Sequence, residues 1–345
     1  ETDDLTWVGD ARTASIAADN WEPGETAEKF HTRPTHHDGR MYVATLDKSS
    51  LDIAFKATRG FHWYAYDLAS GDFVDLSADE PDGVGAERLQ VVAISPDPVN
   101  DRIYGMTLPD NQLLYYDVSE GRTTVIGSPD EWQGYFYSNR FMWTDSRGDV
   151  YVTGGTERSQ WNQGEDRSVL DSVWRYSPGS GFEDTGFALQ TLAAIEVGQW
   201  TSARDQLYVA DDMGHIYRFT DADATWGYLG RPDFPAGETA SGFNKVWVFQ
   251  LDPDEETIYL GRSDNDRPNE IWEFDIATGS SSMLIQLPDL DTQAGQEAFI
   301  TGYDAWDDQG NFYISAFSMY DSENAYLIGL NPEQIRSGTP PPASP

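Results

Sequence analysis

Arg40-Met-Tyr-Val-Ala44, Arg102-Ile-Tyr-Gly-Met106, Asp149-Val-Tyr-Val-Thr153, Gln206-Leu-Tyr-Val-Ala210, Thr257-Ile-Tyr-Leu-Gly261 and Asn311-Phe-Tyr-Ile-Ser315 are one phrase written six times. Each centres on a tyrosine: Tyr42, Tyr104, Tyr151, Tyr208, Tyr259 and Tyr313. The phrase returns at intervals of roughly 50–60 residues, a period that marks propellers or repeat arrays. Apolar and small residues alternate around each tyrosine, as a strand packed on its faces requires. A second phrase follows each first one: Trp63-Tyr-Ala-Tyr-Asp67, Leu114-Tyr-Tyr-Asp117, Val173-Trp-Arg-Tyr176, Ile216-Tyr-Arg-Phe219, Ile271-Trp-Glu-Phe-Asp275 and Tyr326-Leu-Ile-Gly329. Turns such as Ala69-Ser-Gly71, Ser119-Glu-Gly121 and Ala277-Thr-Gly279 then lead into a further strand. The expected fold is therefore an all-β propeller of six blades, each with four antiparallel strands; seven blades is the alternative count. The tyrosines are read as blade packing rather than as a binding box.

The sixth repeat shows no fourth strand after Leu330, whereas Leu5-Thr-Trp-Val-Gly9 resembles the fourth strands Thr124-Val-Ile-Gly127 and Trp226-Gly-Tyr-Leu-Gly230. The N-terminus is thus expected to supply the missing strand and close the ring, which removes exposed sheet edges. One domain is expected over residues 1–335. Residues 336–345 end in a Pro/Ser/Thr tract, read as a spacer or tail leading to a further module.

Composition narrows the partners. The chain of 345 residues has 59 Asp and Glu against 22 Lys and Arg, a formal net charge of −37. Such a field repels nucleic acids and anionic membranes. No run of apolar residues is long enough to cross a bilayer. Cysteine is absent, which excludes disulfides, thiolate metal sites and thiol nucleophiles. The start at Glu1, without Met, and the C-terminal spacer suggest a secreted or cell-surface protein. The acidic balance itself suits salty surroundings, where screening relieves the mutual repulsion of carboxylates.

Loops on a rigid scaffold commonly carry function. In a propeller these are the segments leading into first strands and the loops between second and third strands. Four of the five histidines (His31, His36, His37 and His62) fall in the first repeat, and only His215 lies elsewhere. His31 and Arg33 lead into the first strand of that repeat, and Arg59 and His62 close its facing loop. Arg33, Arg59, Arg88, Arg140 and Lys245 are expected to form a positive island able to grip a carboxylate or sulfate. Tyr137 and Arg140 precede the third repeat in the same way. His36 and His37 are expected to be solvated, and Arg40 and Arg102 to be surface charges. No metal site follows from spacing. No cofactor is fixed; calcium is the one candidate, through acidic loops such as Asp264-Asn-Asp266.

With this architecture and the set His31, Arg33, His62, Tyr137 and Arg140, the chain resembles the secreted β-propeller polysaccharide lyases, including ulvan-lyase-like enzymes. The resemblance implies cleavage of a uronic-acid-containing polysaccharide or oligosaccharide by β-elimination. It implies His31, His62 and Tyr137 as catalytic acid and base. It also implies Arg33, Arg59 and Arg140 on the substrate carboxylate, with Trp161 and Trp200 stacking on sugar rings. Two other classes stay open. One is a non-catalytic carbohydrate- or protein-binding propeller. The other is a calcium-dependent, lactonase-like hydrolase using groups such as Glu87, Asn139 and Asn244.

Overall fold

A computed structural model describes residues 8–23, 25, 29–30, 32–46, 59–108, 111–132, 135–137, 140–153, 156–157, 172–190, 195–211, 213–233, 246–262, 269–290, 299–303, 306–317 and 325–338. The fold is all-β, with sheets of propeller-blade type and two short helices, α1 (Ala11–Ala17) and α2 (Pro332–Ser337). The chain divides into two compact units, residues 1–188 and 189–345, each carrying three blade sheets.

In unit 1 the second blade shows the repeat plainly. Its strands Gln90–Asp97, Arg102–Leu108, Leu113–Asp117 and Arg122–Gly127 pair in chain order, all antiparallel. The third blade follows the same order with Trp143–Thr144, Val150–Thr153, Ser172–Ser177 and Gly181–Ala188. Blade 1 splits its first strand in two. Lys29–Phe30 and Thr35–His37 both pair with Arg40–Leu46, which continues into Trp63–Asp67 and Phe73–Asp75. Between the halves, the Thr32 hydroxyl accepts the Ala44 N–H at 3.1 Å and so supplies the ladder bond that the break removes.

Burial grades across each blade. Arg102–Leu108 is buried on both faces beyond its first residue, while Arg122–Gly127 is half-buried to exposed. Cores therefore lie between neighbouring sheets. Phe61, Trp63, Val91 and Leu114 join blades 1 and 2, and the Trp63 indole N–H donates to the Thr123 hydroxyl at 3.1 Å. Tyr104, Trp132, Met142 and Trp174 join blades 2 and 3.

Unit 2 repeats the plan. Its first blade holds Ile195–Trp200, Gln206–Asp211, Ile216–Thr220 and Thr225–Gly230. The next holds Val246–Leu251, Thr257–Arg262, Glu270–Asp275 and Ser281–Gln286. The last shows three strands among the described residues: Phe299–Tyr303, Phe312–Phe317 and Ala325–Leu330. The first strands of these last two blades also pair with each other in parallel, Val248 with Gly302 and Phe249 with Tyr303. A Cβ on Gly302 would stand 2.8 Å from the Tyr313 carbonyl oxygen, so no side chain fits there.

The repeat tyrosines sit as expected. Tyr42, Tyr104, Tyr151, Tyr208 and Tyr259 are buried, and Tyr313 is half-buried. Some of them add a polar task, which packing alone did not foretell; Tyr208 donates to Gln206 and Tyr259 accepts from Arg336. The Tyr151 hydroxyl donates to Asp145 at 3.2 Å and that of Tyr313 to Asp307 at 2.8 Å. Those carboxylates cap the turns between first and second strands: Asp145 accepts the N–H groups of Arg147 and Asp149, and Asp307 those of Gln309 and Asn311. A second set, Asp67, Asp117 and Asp275, caps the turns after third strands. There Gly71, Gly121 and Gly279 adopt positive φ and close the turn on the backbone. Many acidic residues are thus turn caps as well as surface charge.

Three expectations concern the two chain ends and a pair of arginines. Most of the strand proposed to close the ring, Leu5–Gly9, lies outside the described residues. The stretch after it contains α1, a helix capped at Asp10 by its bond from the Thr13 N–H, which packs on the fourth strand of blade 1. At the other end α2 carries the fold past residue 335, with Arg336 bonded to Glu273 and to the Tyr259 hydroxyl. Arg40 and Arg102, expected to be plain surface charges, pair across the sheet with Asp67 and Asp117.

Candidate functional sites in the two units

His62 stands between the second and third strands of blade 1, where its backbone exchanges bonds with Thr45. That position turns its side chain into a closed polar cluster rather than toward an open loop. Nδ1 lies 2.9 Å from Asp75 Oδ2 and Nε2 lies 3.0 Å from Glu25 Oε1. The imidazole is 4% exposed, Glu25 6% and Asp75 0%. Arg59 meets Glu25 with two nitrogens, at 3.1 and 3.0 Å, and also bonds the side chain and carbonyl of Asn20. Asn20 and Ser15 donate to Asp75 at 3.0 and 2.6 Å, and Ser15 also meets the Tyr64 hydroxyl at 2.7 Å.

Burial pulls the His62 imidazole toward the neutral form, yet its bonds to Asp75 and Glu25, and their charge, outweigh that and hold its pKa up at about 9. Burial alone would raise the Glu25 carboxyl; its bonds from His62 and from the Glu22 backbone, with the nearby cations, bring it below the usual range. Burial, with Asp75 beside it, pushes the Tyr64 hydroxyl up. At neutral pH the cluster is an imidazolium clamped by two carboxylates, and both ring nitrogens are engaged. This geometry suits a tie between the N-terminal segment and blade 1. It offers no open nitrogen to a substrate.

Arg33 and Arg140 form a different group. The Arg33 guanidinium stacks over the Phe141 ring, 5.0 Å from its centre, so blade 1's leading segment meets that of blade 3. Phe141 in turn stacks on Trp143. Arg140, next to Phe141 in the chain, is half-buried. Of the expected positive island, Arg59 turns inward to Glu25, Arg88 is exposed with positive φ, and Lys245 lies outside the described residues.

The other expected residues are placed as follows. The backbone of Tyr137 pairs with Thr156, which joins the leading segment of blade 3 to its second-to-third loop. The Tyr137 side chain, His31 and Trp161 lie outside the described residues, as do Asn139, Asn244 and the loop 264–266. Trp200 ends the first strand of its blade, at the turn rather than at the leading end. There it meets Phe219 edge-on, and Arg204 stacks 5.0 Å above its centre, which fits packing. Glu87 is exposed and His36 is exposed; His37, expected to be solvated, bonds Asp101 at 2.7 Å. No cluster of metal-ligating side chains is found among the described residues.

One arrangement escaped the sequence reading. His215 immediately precedes the third strand of the first blade of unit 2, and its Nδ1 lies 3.0 and 3.3 Å from the two oxygens of Asp211. Asp211 is fully buried and also accepts the N–H groups of Met213 and His215 and the Tyr217 hydroxyl. The signal was present: His62-Trp-Tyr64 and His215-Ile-Tyr217 are the same His-Xaa-Tyr pattern at the same place in two blades.

No protein-family model matches the chain, and no curated protein sequence matches it. Solved structures do. The β-propeller domain of Cps50 (Swd1) from Myceliophteria thermophila superposes with a TM-score of 0.50 at 11% identity, over 85% of this chain and 80% of that one. The extracellular domain of a hybrid two component system from B. thetaiotaomicron gives 0.52 at 11% identity, over 89% of this chain but only 34% of that one. An oligogalacturonate lyase in complex with manganese gives 0.49 at 12% identity, over 86% and 72%. The Cps50 superposition supports the propeller fold and says nothing about activity. No helix among the described residues is long and apolar enough to cross a membrane.

Proposed function

We propose that the chain is a secreted or cell-surface, carbohydrate-active propeller that grips the carboxylate of a uronic-acid-containing polymer through unit 1 and cleaves it by β-elimination. One observation carries the reading: Arg33 is stacked on Phe141, beside Arg140, in a chain whose carboxylates outnumber its cations 59 to 22. The guanidinium suits the carboxylate of an acidic sugar, and the Phe141 ring beneath it holds it in place. The extracellular origin named for one structural neighbour agrees with the location.

In this reading Arg33 and Arg140 neutralise the uronate, which makes the C5 proton removable. A base takes that proton, the bond from C4 to the glycosidic oxygen breaks, a C4–C5 double bond forms, and an acid protonates the leaving oxygen. His31 and Tyr137 are the proposed base and acid, because His62 is held between Asp75 and Glu25. Trp161 is proposed as a sugar platform. Calcium is proposed only as an addition to be tested. The second reading, a non-catalytic binding propeller, is favoured by that same engagement of His62.

The test is ultraviolet absorbance of unsaturated uronate, formed from a panel of uronic-acid polysaccharides with and without calcium. Growth of absorbance that is lost in both His31→Ala and Arg33→Ala supports the lyase. A flat trace with retained binding, weakened by Arg33→Ala, supports the binding module. A flat trace without binding overturns both.

A further inference from the structure

Within the buried cluster of blade 1, the Glu25 carboxylate rests in a cradle built by other residues. Arg59 grips it as a fork, Nε to Oε1 at 3.1 Å and Nη2 to Oε2 at 3.0 Å. His62 Nε2 meets Oε1 at 3.0 Å, and the Glu22 N–H donates to Oε2 at 2.9 Å. The two cations of the cradle are fixed by partners other than Glu25. Asn20 holds Arg59 with its carbonyl and its side-chain oxygen, both at 3.1 Å, and is itself held by Asp75 and the Gly83 carbonyl. Asp75 orients the His62 ring through Nδ1 at 2.9 Å, and the Thr45 hydroxyl accepts the His62 N–H. The cradle is therefore organised for a carboxylate independently of the one it contains. The guanidinium also comes within 3.2 Å of His62 Nε2. With the imidazole protonated at neutral pH, two cations stand side by side, and an anion against both of them makes that approach favourable. The place lies one side chain below solvent: Arg59 is 19% exposed, and its Nη1 lies 3.6 Å from the carboxylate of Glu22, which is 65% exposed.

We propose that Arg59 and His62, positioned by Asn20 and Asp75, form a carboxylate-binding site in blade 1 that the chain's own Glu25 occupies, so that an external carboxylate binds there only in competition with it, an autoinhibitory contact. A planar carboxylate is the matching anion, because the fork addresses two oxygens in one plane and the imidazolium adds a third donor to one of them. The site goes beyond the lyase reading and does not rest on it, since that reading uses Arg33 and Arg140. The groups facing the imidazole are Asp75 from the fourth strand, Tyr64 from its own strand, Arg59 from the loop before it, and Asn20 and Glu25 from the N-terminal segment; Ser15 of α1 bonds Asp75 and Tyr64 behind it. Without Glu25, Asp75 alone faces two cations. The His62 proton is then lost at lower pH than in the wild type, and a bound carboxylate restores it.

The test uses the full chain with Glu25→Ala, in a background of Glu22→Gln and Glu28→Gln that keeps the other acids of the segment from taking the vacated place; Glu28 lies outside the described residues. The urea midpoint and the imidazole resonances of isotope-labelled histidines, assigned through His62→Gln, are followed as acetate, or separately galacturonate, replaces sodium chloride at equal ionic strength. Both acids are expected to raise the midpoint and to move the His62 signals saturably. The wild type should bind galacturonate more weakly by about 10-fold or more, because Glu25 competes at high local concentration. Arg59→Gln added to the variant should weaken binding by about 10-fold or more. If the variant does not fold in chloride, refolding from urea in acetate is expected to restore it, and failure to do so overturns the proposal. Absence of saturable movement at His62, or equal galacturonate affinity in variant and wild type, overturns it as well. A response to acetate without one to galacturonate also overturns it and leaves Glu25 as a structural tie. Arg33→Ala should leave the His62 response unchanged, which separates failure of this site from failure of the lyase reading.

Discussion

Changing His62 to Gln tests whether the buried cluster ties the N-terminal segment to blade 1 through charge. The His62 imidazole has its pKa raised from 6.5 to about 9 in the folded chain. A proton bound more tightly when folded stabilises the fold. That contribution is fully present below pH 6.5 and is lost as pH rises through about 9. At 1.36 kcal/mol per pH unit, the interval corresponds to about 3 kcal/mol. The side chain is 4% exposed, so solvent screens little of it. Removing the imidazole leaves Glu25 and Asp75 buried with one cationic partner fewer, which costs a comparable 3–5 kcal/mol by the usual order of such losses, roughly. The assay is urea unfolding at several values between pH 6 and 10 in constant salt, wild type against His62→Gln. The wild type should lose about 3 kcal/mol across that range beyond what the variant loses. The variant should be less stable at pH 6 and approach the wild type near pH 10. Parallel profiles for the two proteins would refute the reasoning, because the charge on His62 would then contribute nothing to folding.

Other outcomes follow from the repeat. Asp145→Ala removes the acceptor of two turn N–H groups and of the Tyr151 hydroxyl at a site 1% exposed, and should lower stability by about 2 kcal/mol in urea titration. Gly121→Ala puts a Cβ on a residue with φ of 63° and should cost about 1 kcal/mol, read as a lower urea midpoint with unchanged slope. Asp307 has its carboxyl pulled to about 2: burial opposes this, but bonds from Asn311, Tyr313 and Gln309 prevail. Its contribution, present above pH 3.8, should fade as pH falls toward 2, and Asp307→Asn should lack that acid dependence in circular dichroism. With a net charge of −37, the melting temperature should rise as sodium chloride is raised from low to molar concentration. A calorimetric scan that shows no such rise would count against salt adaptation.

The fold was legible because its signals are local. Each second strand announces itself with a central tyrosine, and three of the later turns with aspartate and glycine spaced as in Asp117-Val-Ser-Glu-Gly121. Fourth strands were weaker, since they are half-exposed and carry less apolar patterning. Helix α1 was missed because seven residues, Ala-Arg-Thr-Ala-Ser-Ile-Ala, are too few to establish a period; only the cap at Asp10 pointed to it. The histidine cluster depended on partners far along the chain. His62 was visible, but Ser15, Asn20, Glu25 and Asp75 meet it only through the docking of α1 and the segment after it on blade 1. Conversely, the stacking of Arg33 on Phe141 joins residues more than a hundred positions apart, so the nearness of Arg33 and Arg59 in sequence misled.

The two His-Xaa-Tyr pairs show why a local pattern could not assign function by itself. Strand geometry and a buried aspartate settle one side of each imidazole, the side at Nδ1. The other side is decided by what the rest of the chain brings there. In blade 1 the N-terminal segment brings a carboxylate, and Arg59 completes a closed ion cluster whose members are nearly all buried. In unit 2 the segment after the fourth strand brings Arg231, whose Nε donates to the Met213 carbonyl in the turn before His215. Cations are scarce in this chain, and several arginines face particular carboxylates, as Arg40, Arg59, Arg102, Arg175 and Arg336 do.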